Sequence, residues 1–325
     1  MAPEIDRRTF LRTALMGSAS LGLAGTVVLP EATARAASAA PPLPTRALGR
    51  TGHQVTLFSL GGQSLIEEED GNTRERAVAL IHRALDLGVN YCDTAPLYGS
   101  SQDYFGEVLK SRRQETFLAS KTDDRTRDGS LRLLEDSLRR LHTERLDLWQ
   151  LHHVGSMEDL ESVFRKGGAI EAMVKARDEG TVRFLGITGH YDPASLLEGI
   201  RRFDFDCILL ALNAADPHHL PFQDELLKTA VEKRLGIIGM KVPARGRLLQ
   251  EAGLSMKECV DYAWTLPVST IIVGCASIEN LEENVRLARE FRPLTPAQVA
   301  GIEKRTRQKA LHCSWYKKDS VEPWG

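Results

Sequence analysis

The feature that most constrains this chain is a long, regular alternation of strand-like and helical segments. Apolar runs end near Gly62, Asp93, Lys121, His152, Ile187, Leu210, Met240 and Val273, at intervals of 23 to 35 residues. Each interval suits one strand followed by one helix. The intervening stretches carry helical periodicity. "TRERAVALIHRALDLG" (73–88) sets Ala77, Leu80, Ile81, Ala84 and Leu85 largely on one face, and Gly88 stops it. "DGSLRLLEDSLRRL" (128–141) does the same with Leu131, Leu134, Leu138 and Leu141, and "LEENVRLAREF" (281–291) with Leu281, Val285, Leu287 and Ala288. Strands alternating with amphipathic helices imply a parallel sheet. Eight such units predict an α/β protein built as a closed (β/α)8 TIM barrel. An open doubly wound sheet is the alternative, and the lack of a G-x-G-x-x-G after the first strand counts against it. "TRALGRTGHQVTLFSLGG" (45–62) is expected to be a turn-bearing ribbon leading into the first barrel strand.

The ends of the chain fall outside this pattern. "DRRTFLR" (6–12) places Arg7 and Arg8 before an uncharged stretch at 13–30, and "ATARAASAA" (32–40) offers small-x-small cleavage sites. Residues 1–40 therefore predict a twin-arginine signal peptide and linker, with export by the Tat route to the periplasm or cell exterior. An uncleaved signal would leave an N-terminal anchor, and a chance Arg-Arg pair in a tail is the plain alternative. The barrel is expected over 45–310. The remaining "LHCSWYKKDSVEPWG" (311–325) spends Trp315 and Trp324 on a tail, which predicts that it docks on the barrel. The cysteines Cys92, Cys207, Cys259, Cys275 and Cys313 show neither disulfide framework nor zinc spacing, so neither a metal site nor an iron–sulfur cluster is expected. A net charge of −2 gives no basic footprint for nucleic acid. His218-His219 lacks an acid–His spacing and is expected to be a loop.

In a barrel of this kind chemistry gathers at the C-terminal ends of the strands. Asp93 closes the second strand, Lys121 the third and His152 the fourth, while Tyr98 follows Asp93 in "NYCDTAPLYG" (90–99). Taken singly, each has an ordinary explanation as a cap, a surface charge or a core filler. Together they make a coherent proton-donating device. A free tyrosine titrates near about 10. A neighbouring ammonium favours its phenolate, a carboxylate would hold that ammonium charged and aimed, and a histidine can hydrogen-bond a substrate oxygen. Such a set suits carbonyl reduction, in which an oxygen becomes negative and then takes a proton.

On these residues the chain resembles the aldo-keto reductases. "NYCDTAPLYG", "LASK" and "LDLWQLHH" resemble the family's active-site segments. "GTVRFLGITGH" (180–190) and "STIIVGCASIENLEENV" (269–285) resemble its later cofactor segments, so the likeness spans roughly residues 45–295. The resemblance implies that Tyr98 is the proton donor, that Lys121 and Asp93 tune it, and that His152 orients the carbonyl. His153, of opposite strand parity, is given no catalytic role. It also implies a nicotinamide cofactor, held by Thr188, Met240, Lys241, Arg247, Gly274, Ala276, Asn280, Glu283 and Asn284, and a small carbonyl or alcohol substrate.

The chain departs from the family where the nucleotide would lie. Thr188-Gly189 replaces the usual Ser-Asn, Leu209 stands where a glutamine is common, and Met240 takes the place of a stacking tyrosine. Positions 274, 276 and 280, where many relatives place a cation for a 2′-phosphate, carry no charge. Lys241, Arg245 or Arg247 could compensate or be solvated loop charges. The expected cofactor is NADP(H) or NAD(H), with NADPH slightly ahead. The alternative function is a non-catalytic nicotinamide-binding sensor or accessory subunit. A hydrolase or a Schiff-base aldolase is a third reading, for which Lys121 has the wrong company.

Overall fold

A computed structural model describes residues 41–66 and 73–319. The expected signal and linker at 1–40 lie outside the described residues, as does Trp324. Among the described residues the ten strands are β1 (Thr45–Ala47), β2 (Gln54–Thr56), β3 (Phe58–Gly61), β4 (Tyr91–Asp93), β5 (Phe117–Thr122), β6 (Leu146–Leu151), β7 (Val182–Gly189), β8 (Cys207–Ala211), β9 (Gly236–Met240) and β10 (Thr270–Val273). β1 and β2 pair antiparallel as a hairpin. The other eight close into one parallel barrel, in which β10 returns to β3. The expected strand ends fall within two residues of the observed ones.

The helices sit where the periodicity put them, at Thr73–Asp86, Arg127–Arg140 and Ile278–Glu290, with others in each remaining crossover. Their starts are chemically marked. Thr126, Ser156 and Ser277 each accept a backbone N–H of the first turn, and Ser255 with Glu258 forms a full capping box. Their apolar faces pack on the outside of the barrel around Leu60, Leu118, Trp149, Leu185, Leu210 and Ile271. A second cluster fills the barrel itself: Tyr91, Phe117, Ala119, Leu148, Cys207, Leu209 and Ile238. Both faces of the sheet are therefore apolar, as a parallel barrel requires.

The hairpin closes one end. Leu48 and Val55, both fully buried, drop into the interior cluster. Each such side chain contributes about 1.5–3 kcal/mol of burial. Gly49 makes the approach possible: its φ is +50°, and a Cβ there would lie 2.2 Å from the backbone N of Gly236. The hairpin thus caps the end of the barrel where the strands begin, and the strand C-termini form the opposite mouth.

Part of that face is walled by the C-terminal segment. A short helix, Ala310–Cys313, straddles the expected boundary between barrel and tail. Beyond it, the Lys317 ammonium is fully buried against the Asp216 carboxylate and donates to the carbonyls of His219 (2.8 Å) and Leu220 (3.1 Å). Tyr316 Oη accepts a bond from Asn213 Nδ2 at 2.7 Å, and Lys318 N donates to the Tyr191 carbonyl at 2.9 Å. His218 and His219 serve this packing. The ring of His218 meets Glu303 O and Thr306 Oγ1, and that of His219 meets Lys318 O. All five cysteines are buried and free. Among the described residues no helix is long and apolar enough to cross a membrane.

Candidate active site

The inward parity of three adjacent strands builds the centre of the site. On β4 the interior positions are Tyr91 and Asp93; on β5 they are Phe117, Ala119 and Lys121; on β6, Leu148 and Gln150. Apolar residues fill the lower layer, and the next inward step brings Asp93, Lys121 and Gln150 together below the mouth. The Lys121 ammonium bonds Asp93 Oδ1 and the Thr94 carbonyl, the latter at 2.9 Å. Gln150 Nε2 donates to the other carboxylate oxygen, Asp93 Oδ2, at 3.2 Å.

Tyr98 reaches the same point from a tight turn. Its N–H bonds the Ala95 carbonyl at 3.1 Å, Gly99 turns the chain at φ +44°, and the helix Ser101–Arg112 follows. The Lys121 ammonium lies 4.7 Å from the centre of the Tyr98 ring, and the ring of His152 meets it edge-on at 5.6 Å. His152 follows directly on β6, its N–H tied to the Thr122 carbonyl at 2.8 Å. The structure thus brings the four expected catalytic residues, Asp93, Tyr98, Lys121 and His152, into one cluster.

Its electrostatics are sharply divided. Burial works to lower the Lys121 ammonium, but Asp93 and Tyr98 overcome it and hold the group above its ordinary value. Burial pushes Asp93 upward, with Lys121 and Gln150 pulling it back. Burial, then the charge of Lys121, keeps His152 well below a free imidazole. His152 is therefore a neutral ring beside a fixed cation.

His153, His190 and Tyr316 on this face lie outside the strands and escape strand-parity reasoning. β6 stops at Leu151, so parity does not govern His153. Its φ of +53° turns it into the mouth, with its N–H on Thr188 Oγ1 at 2.9 Å. Its ring lies 4.5 Å from that of His190, which meets Tyr316 edge-on at 5.7 Å. Burial, then Lys241, keeps His190 well below the ordinary imidazole range, and burial likewise lowers His153. No local pattern signals the contact between His190 and Tyr316, because the tail supplies one partner. Gln150 was legible in principle, as the inward residue two places after Leu148.

The expected cofactor positions form two groups along the rim. Thr188 is buried in β7, and Met240 lies partly buried at the end of β9 against the interior cluster. Leu209 lies in that cluster, below the mouth. After β9 the loop carries left-handed backbone at Lys241 (φ +58°), Ala244 (+50°), Arg245 (+52°) and Gly246 (+84°). Lys241, Arg245 and Arg247 gather around the Trp315 ring, at 5.4, 5.4 and 5.3 Å from its centre. Arg247 also donates to the His312 carbonyl at 2.9 Å. The second group follows β10. Gly274 lies so close to Ser64 that a Cβ would fall 2.6 Å from the Ser64 Cβ. Asn284 is buried and donates to Cys275 Sγ at 3.5 Å. Ala276, Asn280 and Glu283 are exposed, Glu283 paired with Arg286 at 2.7 Å. The cations and left-handed backbone after β9 suit the phosphates of an anionic ligand, while at Gly274 the rim is packed closely by Ser64. Among the described residues no cluster of His, Cys, Asp or Glu could hold a metal ion.

Comparison with known proteins bears on this site. The family model described as the aldo/keto reductase family matches residues 58–258. An uncharacterized oxidoreductase of Bacillus subtilis, YqkF, is 26% identical over 81% of this chain and 96% of its own. The L-galactose dehydrogenase of Arabidopsis thaliana is 25% identical over 77% of this chain and 89% of its own. Among solved structures, an aldo-keto reductase of Bacillus halodurans in its holo form superposes with a TM-score of 0.68 at 26% identity, over 81% of this chain and 96% of that one. One from Klebsiella pneumoniae, in complex with NADPH, gives 0.65 at 22% identity, over 79% and 93%, and shares the fold.

Proposed function

The chain belongs to the aldo/keto reductase family, and from that premise we propose that Tyr98 is the proton donor of its reaction. That reaction is the nicotinamide-dependent interconversion of a carbonyl and an alcohol. The observation that carries the proposal is the Lys121 ammonium, bonded to Asp93 on one side and set 4.7 Å from the Tyr98 ring on the other.

When bound, the nicotinamide supplies or accepts the hydride. The chain's own residues handle the oxygen. In reduction the substrate oxygen gains negative charge as its carbon is reduced, and Tyr98 Oη gives it a proton. The phenolate left behind is stabilised by Lys121, whose charge and aim Asp93 maintains. His152, neutral, donates a hydrogen bond to the same oxygen and orients it. The phenolate regains its proton from solvent, and oxidation runs the same steps backward, with Tyr98 as base.

The nucleotide would be held by Thr188 and Met240 at the nicotinamide, by Lys241 and Arg247 at the phosphates, and by Gly274, Ala276, Asn280, Glu283 and Asn284 at the adenosine end. With no cation at 274, 276 or 280, the choice between NADPH and NADH rests on Lys241, Arg245 and Arg247, which leaves NADPH only slightly ahead. Residues 1–40 would direct the folded chain through the Tat route, loaded with its cofactor before export. Fractionation of cells producing an Arg7→Lys, Arg8→Lys chain tests this: retention of the variant inside supports it, and unchanged export contradicts it.

The catalytic reading is tested by titrating the chain with NADPH and NADH and assaying a broad carbonyl panel, with Tyr98→Phe alongside. Tight binding by both proteins and turnover by the parent alone is the expected result. Binding without any turnover would favour a sensor or accessory subunit, and absence of binding would remove the cofactor assignment.

A further inference from the structure

Gln150 is completely buried inside the barrel, one inward step above Leu148 and in register with Lys121 across the β5–β6 ladder. A buried amide is costly unless hydrogen-bonded, and an apolar residue would continue the interior packing of this strand. The amide instead donates to Asp93 Oδ2. The other carboxylate oxygen takes Lys121. Asp93 thus has one partner on each oxygen, and its plane is fixed by both.

We propose that Gln150 is a positioning residue of the proton-donating cluster: it locks the Asp93 carboxylate in place and charge, and through Asp93 the aim of Lys121 at Tyr98. It need not touch the substrate. Asp93 is buried, and the ionisable groups around it are Lys121 from β5, which in turn meets Tyr98 from the following turn, and Tyr91 and the outward-facing Cys92 on its own strand. Of these only Lys121 favours its charged form. Removing the amide donor leaves Oδ2 buried without a partner, so the carboxylate takes up a proton at higher pH. Lys121 then loses the charge that aims it.

This rests on Tyr98 as the proton donor for its effect on turnover, but not for its effect on Asp93, and the two can be read apart. The full chain and Gln150→Met, which keeps the volume and loses the donor, would be followed by infrared titration of the protonated carboxyl band, assigned by its loss in Asp93→Asn. The Asp93 titration should move up by about one pH unit or more in the variant. The acid limb of kcat should move with it, while nucleotide affinity stays within about twofold. Gln150→Asn, which keeps the amide but withdraws it by one methylene, should shift Asp93 in the same direction by less, and serves if the first variant does not fold. An Asp93 titration unmoved in the folded variant overturns the proposal, even if stability falls. A shifted titration in a chain where Tyr98→Phe leaves turnover intact upholds Gln150 as the anchor of Asp93 and overturns the role of Tyr98.

Discussion

At the scale of single residues, the cluster depends on two kinds of imbalance. Lys121 is a buried cation kept charged by one carboxylate, and His152 is an imidazole kept neutral by burial and by that cation. Lys121→Met would leave Asp93 buried without its charge partner. It should destabilise the fold by about 3–5 kcal/mol, read as a fall in Tm, and lower kcat at least as far as Tyr98→Phe. Ala276 is exposed on the rim and uncharged, so Ala276→Arg should strengthen NADPH over NADH by roughly tenfold, the value of one charge-assisted contact. Equal strengthening of both nucleotides in a binding titration would place the 2′-phosphate elsewhere. These residues were legible because they terminate strands. Asp93, Lys121 and His152 each close an apolar run, and Tyr98 stands beside a glycine in the turn after one. Gln150 sits inside a run and needed the interior register to be seen.

At the scale of elements, the tail behaves as part of the barrel wall. Its anchor is the Lys317–Asp216 pair, fully buried, with Asp216 also accepting from the N–H groups of Phe222 (3.1 Å) and Gln223 (3.0 Å). Lys317→Met should cost about 3–5 kcal/mol through the unpaired carboxylate, and adding Asp216→Asn should recover much of that loss, since the amide oxygen still serves a backbone donor. Chemical denaturation of the two variants checks this; a double variant no more stable than the single would contradict it. The aromatic residues of the tail were legible in the sequence. The partners were not, because Asp216, Asn213 and Tyr191 lie on other crossovers and nothing local links them to residues 316–318. Helix positions, in contrast, were set by periodicity within each element.

At the scale of the whole molecule, the alternation of strand and helix defined the barrel, and the closed (β/α)8 topology followed from the number of units. What sequence alone did not reveal is how the mouth gathers imidazoles. His152 and His190 are both held well below the ordinary histidine range and His153 is lowered, burial leading in each case. The native state resists their protonation while the unfolded chain accepts it from about pH 6.5. A depressed folded-state value means that their contribution is complete above the unfolded value and is lost as pH falls through the folded ones. The Tm should therefore drop from pH 7 to pH 5, and less steeply in His190→Gln. A parallel decline in both proteins would show that acid sensitivity arises elsewhere.

The central claim is that Tyr98, charged into readiness by Lys121 and Asp93, delivers the proton in carbonyl reduction. The most direct measurement is the single-turnover rate of cofactor oxidation after mixing nucleotide-loaded protein with a carbonyl substrate, for the parent and Tyr98→Phe at equal saturation. The account predicts a loss of about 100-fold or more in the variant, with nucleotide binding preserved. Equal rates in the two proteins would contradict it.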